Sequence, residues 1–314
     1  MSFARVIVLT IGPVLIIAGC YWLTMAGRGQ AALSRPSTPE VSAEEPTAAA
    51  RELTSLPAAC RVRADELAAL LTADFHLIIR PPYVIAGNLS ASELERHYRE
   101  TIRPTADVLA RCYFERRPDA PIAILLFADN ASYREFSREF DGQRRDAYSG
   151  YYERADRRIM VNVQTGNGTL AHELTHALAH FDFPDMPEWF DEGLASLHEQ
   201  AEFSPDGRRL VGAVNWRRYH LLYALRTGRL RPIAALMATG RIREGHEAVD
   251  YAHARYFCMF LQSQNQLIEY YRAFRDNVRT DPTGLATLCR LFNGQTPTEI
   301  DTQFRHWVLT ACSK

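Results

Sequence analysis

Residues 168–181, GTLAHELTHALAHF, place His172 and His176 four apart, with Glu173 directly after the first. This stretch constrains the fold more than any other, because its spacing has chemical meaning only on a helix. There, residues i and i+4 lie one turn apart on one face, so both imidazoles can reach a single ion. Glu173 projects about 100° round from His172, within reach of a water at the metal but not of the metal itself. Local chemistry predicts the helix: the Gly-rich turn Gln164–Gly168 precedes it, Thr169 is the expected N-cap, and Pro184 lies just past its end. With ten histidines and 21 glutamates in 314 residues, composition alone would spell this pentad in about 2% of such chains. A third ligand therefore has to decide the matter.

His180 continues the ladder, but each four-residue step drifts about 40°, which turns its ring away from the ion. It is expected at the surface or behind the ligands. Astacin-like proteases need Gly three residues and His six residues after the second histidine, and here those positions hold Ala179 and Asp182. The other solution takes a glutamate from a second helix packed beside the first. Residues 187–200, PEWFDEGLASLHEQ, offer Glu192. Pro187 suits a first helical turn. Phe190, Leu194 and Leu197 form an apolar stripe, while Glu192, Ser196 and Glu199 share the opposite side. Gly193 has no side chain and allows close helix approach beside the glutamate. Residues 177–191 suffice for one turn, a loop and a return. Behind Glu192, the next candidates are Asp182, Asp185 and Glu188.

HELTHAL followed by PEWFDEGLAS resembles the gluzincin, or peptidase MA-like, pattern of HExxH followed by W-x-x-E-G-x-A. The resemblance implies an α+β, zincin-like metallopeptidase fold: a small mixed α/β N-terminal subdomain with an edge strand over the cleft, then a mainly helical C-terminal subdomain. It implies Zn2+ held by His172, His176 and Glu192, with Glu173 as general base. Upstream, GYYERADRRIMVN is similar to the edge strand along the cleft in these enzymes. Downstream, YAHARYFCMFL (251–261) is similar to the helix whose tyrosine faces the metal. Coverage is roughly residues 120–262, with specific motifs at 172–176 and 189–195. The chain has no GxMEN motif, and its spacing to the glutamate is shorter than in the aminopeptidase branch.

Three protein ligands would leave zinc an open position for water, whose proton Glu173 takes during attack on a carbonyl. The oxyanion needs a neutral donor, for which Tyr251 is the first candidate and His253 the second. Trp189 is expected to pack, and Ser196 to orient a ligand histidine. The expected activity is zinc-dependent peptide hydrolysis on a peptide or protein substrate. A catalytically silent zincin-like interaction module and a zinc hydrolase of a non-peptide envelope amide are the alternatives. The first has no use for Glu173; the second differs only in substrate.

The 36 basic and 37 acidic side chains give a net charge of −1, which excludes nucleic acid as the main partner, because phosphate binding needs a basic excess. From Val6 to Ala26 no residue is charged, and Arg5 and Arg28 flank the run. Such a run is long enough to span a hydrocarbon core of roughly 30 Å. Residues 1–27 are thus expected to be a membrane anchor, either a single-pass signal anchor or a lipoprotein signal acylated at Cys20. The catalytic part is then extracytoplasmic. Residues 28–56, rich in Ala, Ser, Pro and Glu, are expected to be a flexible linker. Of six cysteines, Cys20, Cys60, Cys112, Cys258, Cys289 and Cys312, none has CxxC spacing, so cysteine-held zinc is excluded. One or two disulfides or buried free thiols fit equally.

Residues 57–168 are expected to form the α/β subdomain. They comprise a helix over 61–73, an extended stretch over 76–87 broken at Pro81-Pro82, and a helix over 90–114 opened by a Ser90–Glu93 capping box and broken near Pro104. A buried strand over 121–127, a helix over 131–140 and a strand over 157–163 follow. Residues 169–314 are expected to be the helical, zinc-binding subdomain.

Overall fold

PIAILLF is apolar throughout, as a strand covered on both faces must be, and Ile122–Phe127 is the central strand of a five-stranded sheet with every residue buried. The structure, a computed structural model, describes residues 55–141 and 149–311. In chain order it opens with α1 (Leu56–Ala68), β1 (His76–Arg80) and β2 (Tyr83–Gly87). α2 (Ala91–His97) runs through a π-helical turn at Tyr98–Ile102 into α3 (Arg103–Cys112), and β3 is Ile122–Phe127. α4 (Asn130–Asp141), β4 (Gly150–Glu153) and β5 (Arg158–Asn162) complete the sheet region. Then come α5 (Asn167–Asp182), α6 (Glu188–Glu199), the hairpin β6 (Ala201–Phe203) and β7 (Leu210–Gly212), and α7 (Arg218–Arg226). The chain continues through α8 (Ile233–Thr239), α9 (Glu247–Ser263), α10 (Leu267–Asn277), α11 (Leu285–Leu291) and α12 (Pro297–Ala311). The fold is mixed α/β, as far as the expected α+β class reaches.

The sheet order is β1-β2-β3-β5-β4, antiparallel at its two outer pairs and parallel in the middle. Ile85 lies opposite Ile124, and Leu125 opposite Met160. Period-two alternation sends Val84, Ala123, Leu125, Phe127 and Met160 to one face, where they pack with Cys60, Ala64 and Leu67 of α1 and Tyr133 of α4. Ile85, Ile124, Leu126, Ile159 and Val161 point the other way, into the larger core shared with the helices. β4 is an edge strand, and α5 packs against it and β5.

Local chemistry explains the element ends. Ser90 and Glu93 form the reciprocal capping box. Pro104 cannot donate a backbone hydrogen bond, and the helix before it widens to the π register, with Arg103 N–H reaching Tyr98 O. α1 starts at Leu56, earlier than expected, because Ser55 caps it and a proline occupies its first turn. Cys60, Cys112 and Cys258 are buried, Cys289 is partly buried, and all four are free thiols; Cys20 and Cys312 lie outside the described residues.

The membrane-anchored placement expected from Val6–Ala26 is corrected. Among the described residues no helix is long and apolar enough to cross a membrane. The longest, α9, has 17 residues and carries Asp250 and Arg255, short of the roughly 20 apolar residues that a span needs. The segment that carried the expectation lies outside the described residues, as does all but the end of the expected linker.

Candidate metal centre

α5 begins with Gly166 as its N-cap, at φ 89°, a left-handed conformation that favours glycine. Thr169, the expected cap, instead lies inside the first turn, its hydroxyl 3.2 Å from that of Thr165. In the first turn of α5, Gly168 sits against the C-terminal end of α6; a Cβ there would come within 2.4 Å of Glu199 O. Gly193 does the same on the other side of α6, where a Cβ would meet Ala254 O and Cys258 Sγ of α9, both at 2.9 Å. Two glycines thus let α6 wedge between α5 and α9. Every residue from Trp189 to His198 is buried. The expected two-faced α6 is in fact central and covered all round, and its polar residues must find partners inside the protein.

Among the described residues, His172, His176 and Glu192 form the group able to hold a metal ion. The two Nε2 atoms lie 3.1 Å apart, and Glu192 Oε2 lies 3.5 Å from His172 Nε2 and 3.7 Å from His176 Nε2. Ligands about 2.0–2.1 Å from a tetrahedral zinc are separated by about 3.3–3.4 Å, a spacing that the three measured edges bracket. Glu192 Oε2 is buried and has no hydrogen-bond partner in the protein. A carboxylate oxygen without a partner, facing two imidazole nitrogens, is the donor set that a borderline divalent cation satisfies. The residues therefore fit zinc.

Asp191, next to Glu192, organises the far side of the pair. Its Oδ1 accepts from His176 Nδ1 at 2.8 Å and its Oδ2 from His180 Nε2 at 3.1 Å. With Nδ1–H engaged, His176 presents the Nε2 lone pair to the cluster. Ser196, expected in this role, makes no hydrogen bond from its hydroxyl. His180 stands behind the ligands, as its 40° drift from the face predicts. His172 is held less directly: Glu199 Oε2 lies 3.9 Å from its Nδ1 and is paired with Arg217.

The electrostatics favour a cation. Burial opposes charge on His176, yet Asp191 and Glu192 raise its pKa well above the ordinary histidine value. Burial would lift the Glu192 carboxyl, but His176 and His172 hold it down to about 2. Glu173, 1% exposed, is shifted up by burial; His172 and His176 oppose the shift, and Glu192 and Glu199 add to it.

The structure thus brings His172, His176 and Glu192 together, with Glu173 buried in their field. The ring of Tyr251 lies 5.9 Å from the guanidinium of Arg217, which pairs with Glu199. His253 stacks on Phe304 at 5.5 Å, towards α12. Trp189 is fully buried and packs on Phe190 and Phe257. The substitute ligands have other work: Asp182 accepts from the backbone of Glu115 and Arg116, from Tyr271 and from Arg275. Glu188 accepts from Ile242 N–H, and Asp185 is exposed. Sequence reasoning missed Asp191, Glu199 and Arg217. A ligating histidine commonly donates its other ring N–H to a carboxylate, but which carboxylate is set by the packing of α5 on α6. Comparison of the chain with known protein families and with curated proteins finds no match.

Proposed function

We propose that the chain is a zinc-dependent peptidase of the gluzincin type. The observation that carries this reading is the convergence of His172 Nε2, His176 Nε2 and Glu192 Oε2 at 3.1–3.7 Å, within two packed helices. His172, His176 and Glu192 would hold the ion. A zinc ion there supplies Lewis acidity, which polarises a carbonyl and makes water acidic near neutral pH. Glu173 accepts the proton of the attacking water; burial raises its pKa, which makes its carboxylate a stronger base than an exposed one. It then returns the proton to the leaving amine. Asp191 keeps His176 in the tautomer that ligates. Tyr251 as an oxyanion donor belongs to the same reading and requires its hydroxyl to reach the substrate carbonyl.

The test is hydrolysis of a peptide library by zinc-loaded protein, with Glu173→Gln as control. Cleavage that Glu173→Gln abolishes while zinc content is unchanged supports the peptidase; cleavage that survives in the variant rejects Glu173 as base. One observation favours a second reading, a structural zinc in a non-catalytic module: His172, His176 and Glu192 are only 2%, 0% and 1% exposed, as in a closed site. Cobalt substitution separates the two. A hydroxamate that shifts the visible bands needs an open coordination position, and a spectrum indifferent to it marks a closed one.

A further inference from the structure

Of the nine large apolar side chains exposed among the described residues, six lie between Phe203 and Tyr223. The strongest concentration is on α7. Tyr219 is 65% exposed and Tyr223 59%, and they stand one turn apart on one face; Arg226 continues the row and is exposed. Leu221 and Ala224 already bury the opposite side of this helix, so the tyrosines add nothing to the core. Together with Arg218 and Leu222 the row lines an open depression of about 340 Å³. Trp216, 37% exposed, stands at the entry to the helix with the Arg217 guanidinium 4.5 Å from its ring.

The charge of this region is one-sided. Between Gly207 and Arg243 the chain has nine arginines and no aspartate or glutamate, although the whole chain carries a net charge of −1. Among the described residues, carboxylates from other segments pair with some of them: Glu199 holds Arg217, and Asp250 holds Arg231 and Arg243. Arg226 and Arg229 stand in solvent. The surface also connects to the candidate centre. Arg217, stacked on Trp216, is paired with Glu199, whose Oε2 lies 3.9 Å from His172 Nδ1.

We propose that the Trp216–Arg226 surface docks an acidic peptide segment of the substrate, seating an apolar side chain between Tyr219 and Tyr223 while Arg226 meets a carboxylate. Its substrate class rests on the peptidase reading. Charge complementarity selects an anionic occupant, and aromatic walls with an apolar floor select one that also carries apolar groups. A nucleic-acid strand satisfies the charge but needs a longer basic track along its backbone.

The test measures binding without turnover. In the full chain carrying Glu173→Gln, anisotropy titrations compare a labelled peptide of alternating Glu and Leu with its Lys–Leu counterpart. A single-stranded oligonucleotide and phosphatidylserine vesicles are titrated in parallel. Preferential binding of the acidic peptide is expected, weakened at least about tenfold by Tyr219→Ala with Tyr223→Ala, and weakened by salt. The charge reversal Arg226→Glu, on an exposed position, gives the same loss in a second variant whose melting temperature and zinc content are unchanged. Equal binding of the two peptides, binding indifferent to both variants, or preference for the oligonucleotide or the vesicles overturns the proposal. The two readings fail separately. Variant-sensitive binding of the acidic peptide with no cleavage of any peptide leaves the surface standing and removes the peptidase. Cleavage with no preference for acidic segments does the reverse.

Discussion

His176 on α5 and His253 on α9 are both fully buried, but their surroundings act on their charge in opposite directions. Around His176, Asp191 and Glu192 overcome burial and raise the pKa well above its ordinary value. Around His253, burial dominates, Arg231 adds to it and Asp250 only partly opposes it, so the pKa falls to about 3. Neither ring nitrogen of His253 has a hydrogen-bond partner in the protein. A buried histidine among convergent carboxylates is a group able to hold a cation. A buried histidine stacked on Phe304 is a flat side chain filling a core at a polar cost.

The comparison breaks most directly at the third ligand. Wild-type protein is expected to hold about one zinc per chain, and Glu192→Ala to weaken it by at least about a hundredfold, the upper end of what losing an outer partner costs. That is about 2.7 kcal/mol. His253→Ala should leave zinc binding unchanged. Metal analysis with a chelator competition measures both, and undiminished zinc in Glu192→Ala would mean that the ligand set is wrong.

Because the ligands come from two helices, zinc should tie α5 to α6 and stabilise the fold. At a free zinc concentration of about 100 times Kd the expected gain is about 2.7 kcal/mol, visible as a higher melting temperature that EDTA abolishes. The gain should vanish in His172→Ala. A melting temperature indifferent to zinc in the wild type would place the cluster with His253, as a core feature only.

A smaller effect separates ligand from positioning residue. Asp191→Asn keeps the shape of the side chain but removes its charge, and should weaken zinc by about ten- to a hundredfold. Asp191→Glu should recover part of the loss if Nδ1 orientation is what matters. Equal zinc affinity in Asp191→Asn and wild type would show that the 2.8 Å contact with His176 does not tune the site.

How much of this was legible in the sequence depends on whether the signal was local. Periodicity placed the strands around Ile122–Phe127 and Arg158–Asn162, and the Ser90–Glu93 box placed α2, because turn chemistry and alternation act over a few residues. The i, i+4 histidines were legible because helix geometry alone aligns them, and the glutamate after Trp189 because its spacing and the W-x-x-E-G pattern marked it. Asp191 was not, since its neighbour is His176 on another helix and only the packing of α5 on α6 brings them together. The burial of α6 on every side was hidden too: a stripe of Phe190, Leu194 and Leu197 reads as one face when the covering helix, α9, is distant in the chain. Tyr251 followed from resemblance, and the choice of rotamer and neighbour lies beyond any motif.

The finest contrast is in acid. For His253 the folded-state pKa, about 3, lies below the ordinary value of about 6.5. Between these values the unfolded chain binds a proton that the folded chain does not. The stability that His253 contributes is therefore complete above about pH 6.5 and lost as pH falls towards 3, at up to about 1.4 kcal/mol per pH unit. His253→Phe keeps the stacking partner for Phe304 and removes the titrating group. Its stability at pH 7.5 should be unchanged or higher, and its acid limb shallower. The limb should not become flat, because burial, Arg255 and His172 also hold His198 at about 3. Urea denaturation from pH 4 to 8 measures the slopes, and parallel limbs for variant and wild type would show that His253 takes up its proton in the folded protein as readily as in the unfolded one.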